Sequence, residues 1–232
     1  MKNNSQIEMG PNESDGPTST LAEQGEAMKH QTRKLQICIR GVDGRLATFT
    51  QDDPAMVQRI VQDCLRPDFF KQERIAIAGQ YSVTTLVLSR VARIDLVGDG
   101  PWFRDPRCGV GTSIRAIEEL RKHEFFDQVE ALDLKHMERP RVRFTPGKPA
   151  AAFVEIQLLG SQHVYLKLQI IDVPYPERLQ RIRSFLALPG VSFRLAHGGL
   201  GIANLTNAVQ FTGYPGPAQA PADAWSANEA DA

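Results

Sequence analysis

The sequence predicts an α+β fold in which one β-β-α-β-β-β unit occurs twice and forms a pseudo-two-fold pair, with a helical insert between the copies. Three observations predict it. The order of elements over residues 34–98 recurs over 153–215, prolines bound the helix in each stretch, and strand segments of both stretches alternate apolar and polar residues. The domains that follow are a disordered tail (1–32), a first repeat (33–98), an insert (99–152), a second repeat (153–215) and a disordered acidic tail (216–232).

In the first repeat, Leu35, Ile37 and Ile39 alternate with Gln36, Cys38 and Arg40, the period of a strand with one buried face. Asp43-Gly44 supplies a turn with positive φ, and the chain returns through Ala47 and Phe49. Asp53-Pro54 opens a helix with a capping carboxylate and a proline that lacks only an unneeded N–H. Val57, Ile60, Val61, Cys64 and Leu65 keep helical spacing until Pro67 stops it. Three strands follow, marked by Ile75 and Ile77, by Val83, Thr85 and Val87, and by Val91, Ile94 and Leu96, with a tight Leu88–Val91 connection.

The second repeat answers in order. Val154, Ile156 and Leu158 lead to a Gly160-Ser161-Gln162 turn and to Val164, Leu166 and Leu168, which places Gly160 with Gly41 and Leu168 with Phe49. A helix bounded by Pro176 and Pro189-Gly190 carries Leu179, Ile182 and Leu186. Phe193 and Leu195, then Gly201–Asn204, then Val209 and Phe211 close the unit, with Leu205–Ala208 as the connection. A unit of about 65 residues has a weak core of its own, so the copies are expected to pack their sheets on each other.

The insert predicts a helix over about 113–134, capped by Thr112 or Ser113, with Ile114, Ile117 and Leu120 on one side. Its pattern slips near His123-Glu124-Phe125-Phe126, and Asp127 with Glu130 resembles a fresh cap. Lys135–Lys148 follows with Arg139, Arg141 and Arg143. Residues 1–32 lack any aromatic side chain, and Trp225 stands alone in the acidic C-terminal tail, where it could anchor in a partner's groove.

Equal numbers of basic and acidic residues, 27 each, leave no net field to steer the chain to nucleic acid or to an anionic membrane. Three cysteines without C-x-x-C spacing predict neither a disulfide framework nor a structural zinc site. No apolar run reaches membrane-spanning length, and Met1–Ser5 lacks a signal's apolar core, so a cytoplasmic protein without membrane contact is expected.

Candidate chemistry is thin. Gly109–Ser113 precedes a predicted helix but lacks the Gly-Lys-Ser/Thr of a phosphate loop. Cys108, His123 and Asp105 hold the residue types of a thiol nucleophile, base and orienter, with no spacing that forces them together. The five histidines, His30, His123, His136, His163 and His197, show no ligand spacing and no evident carboxylate partner, so neither metal nor cofactor is expected. Arg139, Arg141, Arg143 and Lys148 form a basic stripe able to meet phosphates or an acidic partner. The sequence therefore predicts a non-enzymatic interaction or adaptor protein that binds another protein or itself. A nucleic-acid-associated protein using Lys135–Lys148 is the alternative, and a thiol enzyme using Cys108 is the second.

Overall fold

Leu35, Ile37 and Ile39 are buried while Gln36 and Arg40 are exposed, and this alternation forms strand β1 (Leu35–Gly41). Each such side chain removed from water contributes roughly 1.5–3 kcal/mol. The chain turns at Gly44, whose φ of 80° is a left-handed conformation that glycine adopts without strain, and returns as β2 (Leu46–Gln51). The Asp53 carboxylate accepts the Ala55 N–H at 3.0 Å and caps α1 (Pro54–Cys64), which buries Val57, Val61 and Cys64. A 3-10 turn, Phe69–Lys71, buries two phenylalanines, and a separate hairpin follows from β3 (Arg74–Ala78) and β4 (Val83–Val87). A second 3-10 turn, Leu88–Arg90, leads into β5 (Val91–Val97).

The computed structural model describes residues 34–98, 114–131, 149–171, 184–185 and 187–214, which fall within one unit, Arg33–Ala232. Both predicted tails, the Gly109–Ser113 loop and the basic stripe lie outside the described residues, as does most of the second predicted helix. Of that helix, Ser184 and Phe185 are described and helical, while Ala187, Leu188 and Pro189 are already turn and bend.

The insert differs from its predicted helix. Ile114–Glu119 is a strand, β6, and the helix α2 runs over Lys122–Glu130. A register shift between Ile114 and Ala116 explains the misreading: Ile114 lies opposite Ile170 and Ile117 opposite Leu168. The bulge puts two residues three apart on one face, which imitates helical spacing. Glu124, rather than Asp127 and Glu130, makes the N-terminal cap, its carboxylate accepting the Arg121 N–H at 3.1 Å. Strands β7 (Pro149–Leu158) and β8 (Gln162–Ile171) form the next hairpin, so β7 begins within the expected insert. Then come β9 (Gly190–Arg194), β10 (Leu200–Asn204), a 3-10 turn (Leu205–Asn207) and β11 (Ala208–Tyr214).

The strands do not form two packed sheets. All but β3 and β4 join edge to edge in one nine-stranded sheet, ordered β11-β7-β8-β6-β9-β10-β5-β1-β2. Among the described residues its ladders are antiparallel except the short parallel contact of β6 with β9, at Glu118 and Arg194. One core lies under β1, β5 and α1, and a second lies among β7, β8, β9 and Phe185. Strand β10 serves both: Leu200 and Ile202 enter the first core and Ala203 the second. Gly201 leaves room for the Phe193 ring, since a Cβ there would sit 2.2 Å from a ring carbon.

The two hairpins share one frame. Adding 117 to the pairing of β1 with β2 gives that of β7 with β8: Leu35↔Gln51 becomes Ala152↔Leu168. The same shift carries Ile39↔Ile94 to Ile156↔Phe211, and Arg40↔Arg93 followed by Gly41↔Val91 to Gln157↔Gln210 followed by Leu158↔Ala208. Both ladders therefore carry a bulge at the corresponding place, Ala92 in β5 and Val209 in β11. Around the 3-10 turns, Val42 N–H donates to Arg90 O and Leu159 N–H to Asn207 O, each at 2.9 Å. Leu88 N–H donates to Glu73 O and Leu205 N–H to Pro189 O, each at 3.0 Å. These ladders pair Gly160 with Asp43 and Leu166 with Phe49, two residues away from the alignment expected from the turn glycines.

Candidate functional site

Of the residues singled out in the sequence, Arg139, Arg141, Arg143, Lys148, Trp225, Cys108 and Asp105 lie outside the described residues. His123 is exposed in the first turn of α2. His197 lies in the β9–β10 loop, beside an opening of about 390 Å³ shared with Lys34, Gln36, Thr50, Val97, Gly98 and Gly198. That opening offers cationic and neutral groups but no carboxylate. Among the described residues, no group of three or more His, Cys, Asp or Glu side chains is placed to hold a metal ion, and no helix is long and apolar enough to cross a membrane.

Where β5, β6 and β9 meet, the sheet encloses charge that sequence reasoning missed. Arg93 Nε donates to Asp95 at 2.6 Å, and its two terminal nitrogens donate to Glu119 at 2.5 and 2.9 Å. The guanidinium also stands 5.2 Å from the centre of the Phe193 ring. Burial pulls the Arg93 pKa down, but hydrogen bonding to Glu119 and the charges of Asp95 and Glu119 outweigh it, and the net shift is upward. Arg40 lies 3.8 Å from Asp95, and Arg194 lies 3.8 Å from Glu118. These groups satisfy one another. Their chemistry is that of a strut, which binds β6 to β5 where the ladder between β6 and β9 is shortest.

A second cluster lies on the outer face of β7 and β8. His163 Nδ1 is 2.9 Å from Glu155 Oε1, and the His163 ring stacks on Tyr165 with a 16° tilt. Burial, then the Glu155 charge and a hydrogen bond to it, raise the Tyr165 pKa. His163 thus has the carboxylate partner that sequence spacing did not reveal, because a hairpin brings positions eight apart together. The pair borders an aromatic group under α2, in which Phe125 meets Phe153, Tyr165 and Tyr214 at ring separations of 5.2–5.9 Å. A base with an orienting carboxylate resembles part of a hydrolytic site. The opening beside His197 does not include the pair, however.

The remaining feature is an edge. In β5, Ala92 is fully buried in the second core, next to the ladder in which β10 covers that strand's outer side with Ile202 opposite Ile94. In β11, the corresponding bulge residue Val209 is 62 % exposed, and among the described residues only β7 pairs with this strand. Strand β4 pairs only with β3 among them, and its Val83 is 69 % exposed. Among the described residues, β4, β11 and β2 (the other end of the sheet) therefore each present an uncharged edge with an exposed apolar side chain, Val83, Val209 and Leu46. No protein-family model, curated protein or solved structure matches the chain.

Proposed function

We propose that this chain is a non-enzymatic interaction protein, built from a duplicated α+β unit (33–98 and 153–215), that binds a protein partner by strand addition at β11. The duplication is supported by the common shift of 117 residues in two ladders, in a shared bulge and in the hydrogen bonds from Val42 to Arg90 and from Leu159 to Asn207; the bond from Leu205 to Pro189 answers that from Leu88 to Glu73 with one residue fewer. Generic β-β-α-β-β-β resemblance predicts similar order but not identical register, because register depends on turn length and pattern in each hairpin separately.

The observation that carries the binding reading is the contrast between Ala92, 0 % exposed, and Val209, 62 % exposed, at corresponding places. An edge strand presents unpaired N–H and C=O groups to any chain that can adopt an extended form. The experiment is affinity capture of the full chain from native lysate, run beside Val209→Lys, which sets a charge on that edge. A partner held by the natural chain and lost from the variant supports the reading. Recovery of both as lone monomers sinks it.

A further inference from the structure

We infer that the partner of β11 is β4 of a second copy of this chain, paired in the register that β10 holds on β5. The inference rests on the duplication proposed above and adds to it the identity of the strand that fills the edge.

The chain itself displays the joint once. The last strand of the first unit, β5, takes the hairpin strand of the second unit, β10, with Leu200↔Leu96, Gly201↔Asp95, Ile202↔Ile94 and Ala203↔Arg93. The reciprocal joint would unite the last strand of the second unit, β11, with the hairpin strand of the first, β4. Moving each partner by 117 gives Val83↔Gly213, Thr84↔Thr212, Thr85↔Phe211 and Leu86↔Gln210, where 83 to 86 stand for 200 to 203 and 210 to 213 for 93 to 96.

Among the described residues this joint is not made within one chain. Strand β4 is committed to β3, and Leu86, Ile75 and Ile77 pack on the first core. Among the described residues both edges remain, and the one irregularity on either is the β11 bulge at Val209, which lies outside the 210–213 register. Strand β4 reads Val-Thr-Thr-Leu-Val and β11 reads Ala-Val-Gln-Phe-Thr-Gly-Tyr, without a charge or a proline. Neutral edges do not repel each other, and two molecules exchanging β4 for β11 would close a two-fold dimer with both edges satisfied.

Cysteine cross-linking tests the register. Opposed Cα atoms in an antiparallel ladder lie about 4.5–5.5 Å apart, within the roughly 4.4–6.8 Å that a disulfide accepts. Full-length Thr84→Cys and Thr212→Cys proteins are mixed under mild oxidation, so that a cross-link between the introduced thiols joins two molecules. The natural thiols are controlled by oxidising each variant alone. The expected result is a covalent dimer that forms at least tenfold faster in the mixture than in either variant alone. Sedimentation of the natural chain should show a dimer that Val209→Lys shifts to monomer, while circular dichroism stays unchanged.

Two results overturn the inference. A disulfide within one chain in a Thr84→Cys/Thr212→Cys double variant, without dimer in the mixture, means that the edges close on themselves. Absence of any cross-link in a folded, monomeric protein means that β4 is not the occupant. A different protein captured at β11 would then leave the interaction function standing without this partner.

Discussion

The side-chain amide of Asn204 donates to the carbonyl oxygen of Val91 at 2.9 Å, and it also donates to that of Leu88 at 3.1 Å. The amide of Asn207 joins it on Val91 at 2.9 Å. Leu205 and Ala208, the counterparts of Leu88 and Val91, adjoin these asparagines in sequence. The 3-10 turn Leu205–Asn207 and the residue before it are therefore joined to Leu88 and Val91 at the other 3-10 turn.

Asn204→Ala should cost about 1–3 kcal/mol, because the Leu88 carbonyl loses this buried donor. In a folded region of this size that corresponds to a fall in Tm of roughly 2–12 °C, read by thermal unfolding followed by circular dichroism. An unchanged Tm would mean that the joint between the turns contributes nothing.

Arg93→Met should be the most damaging single change in the sheet, at roughly 3–5 kcal/mol, since it leaves Asp95 and Glu119 facing each other without their cation. Arg93→Lys keeps the charge but not the fork and should fall between the two. Urea unfolding of the three proteins ranks them, and equal midpoints would show that the cluster is neutral in energy.

The Glu124 carboxyl is held down at about 2, first by hydrogen bonding from the Arg121 side chain and then from its backbone N–H. A carboxyl depressed on folding adds stability above its unfolded value near 4.5 and loses it as pH falls towards 2. Glu124→Gln should therefore lower Tm at pH 7, and most of that deficit should be gone at pH 2. A deficit as large at pH 2 as at pH 7 would assign the effect to packing rather than to charge.

Burial, with a smaller contribution from Asp63, pushes the Cys64 thiol up to about 12. At pH 8 a thiol-reactive probe should modify half-buried Cys38 well before Cys64, and Cys64 should react only as the protein unfolds. Mass spectrometry of the digested, labelled protein would reveal the order, and equal rates would remove Cys64 from the core.

Much of each unit was legible in the sequence, because short-range pattern determined it. The alternation of β1, the Asp53 cap, the two hairpin strands and the tight Leu88–Arg90 connection all stand where local chemistry puts them. Strand order was not legible, since nothing local says that β10 will lie beside β5. The alignment of Gly160 with Gly41 failed because the hairpin turns reach positive φ at Gly44 in one unit and at Gly160 and Ser161 in the other. Gly41 ends a strand instead. The Arg93 cluster was readable only in part: charged residues inside the run Val91–Val97 announce a polar face, but their partner Glu119 comes from the insert.

The strand that shields β5 is made late. Some hundred residues separate Val97 from Leu200, and a ribosome adding about 5–20 residues per second needs roughly 5–20 seconds to supply them. Throughout that interval the nascent first unit has emerged with an apolar flank and no cover. Shielding by a chaperone during synthesis, or slower elongation that gives it time to act, would then limit the yield of native protein more than final stability does.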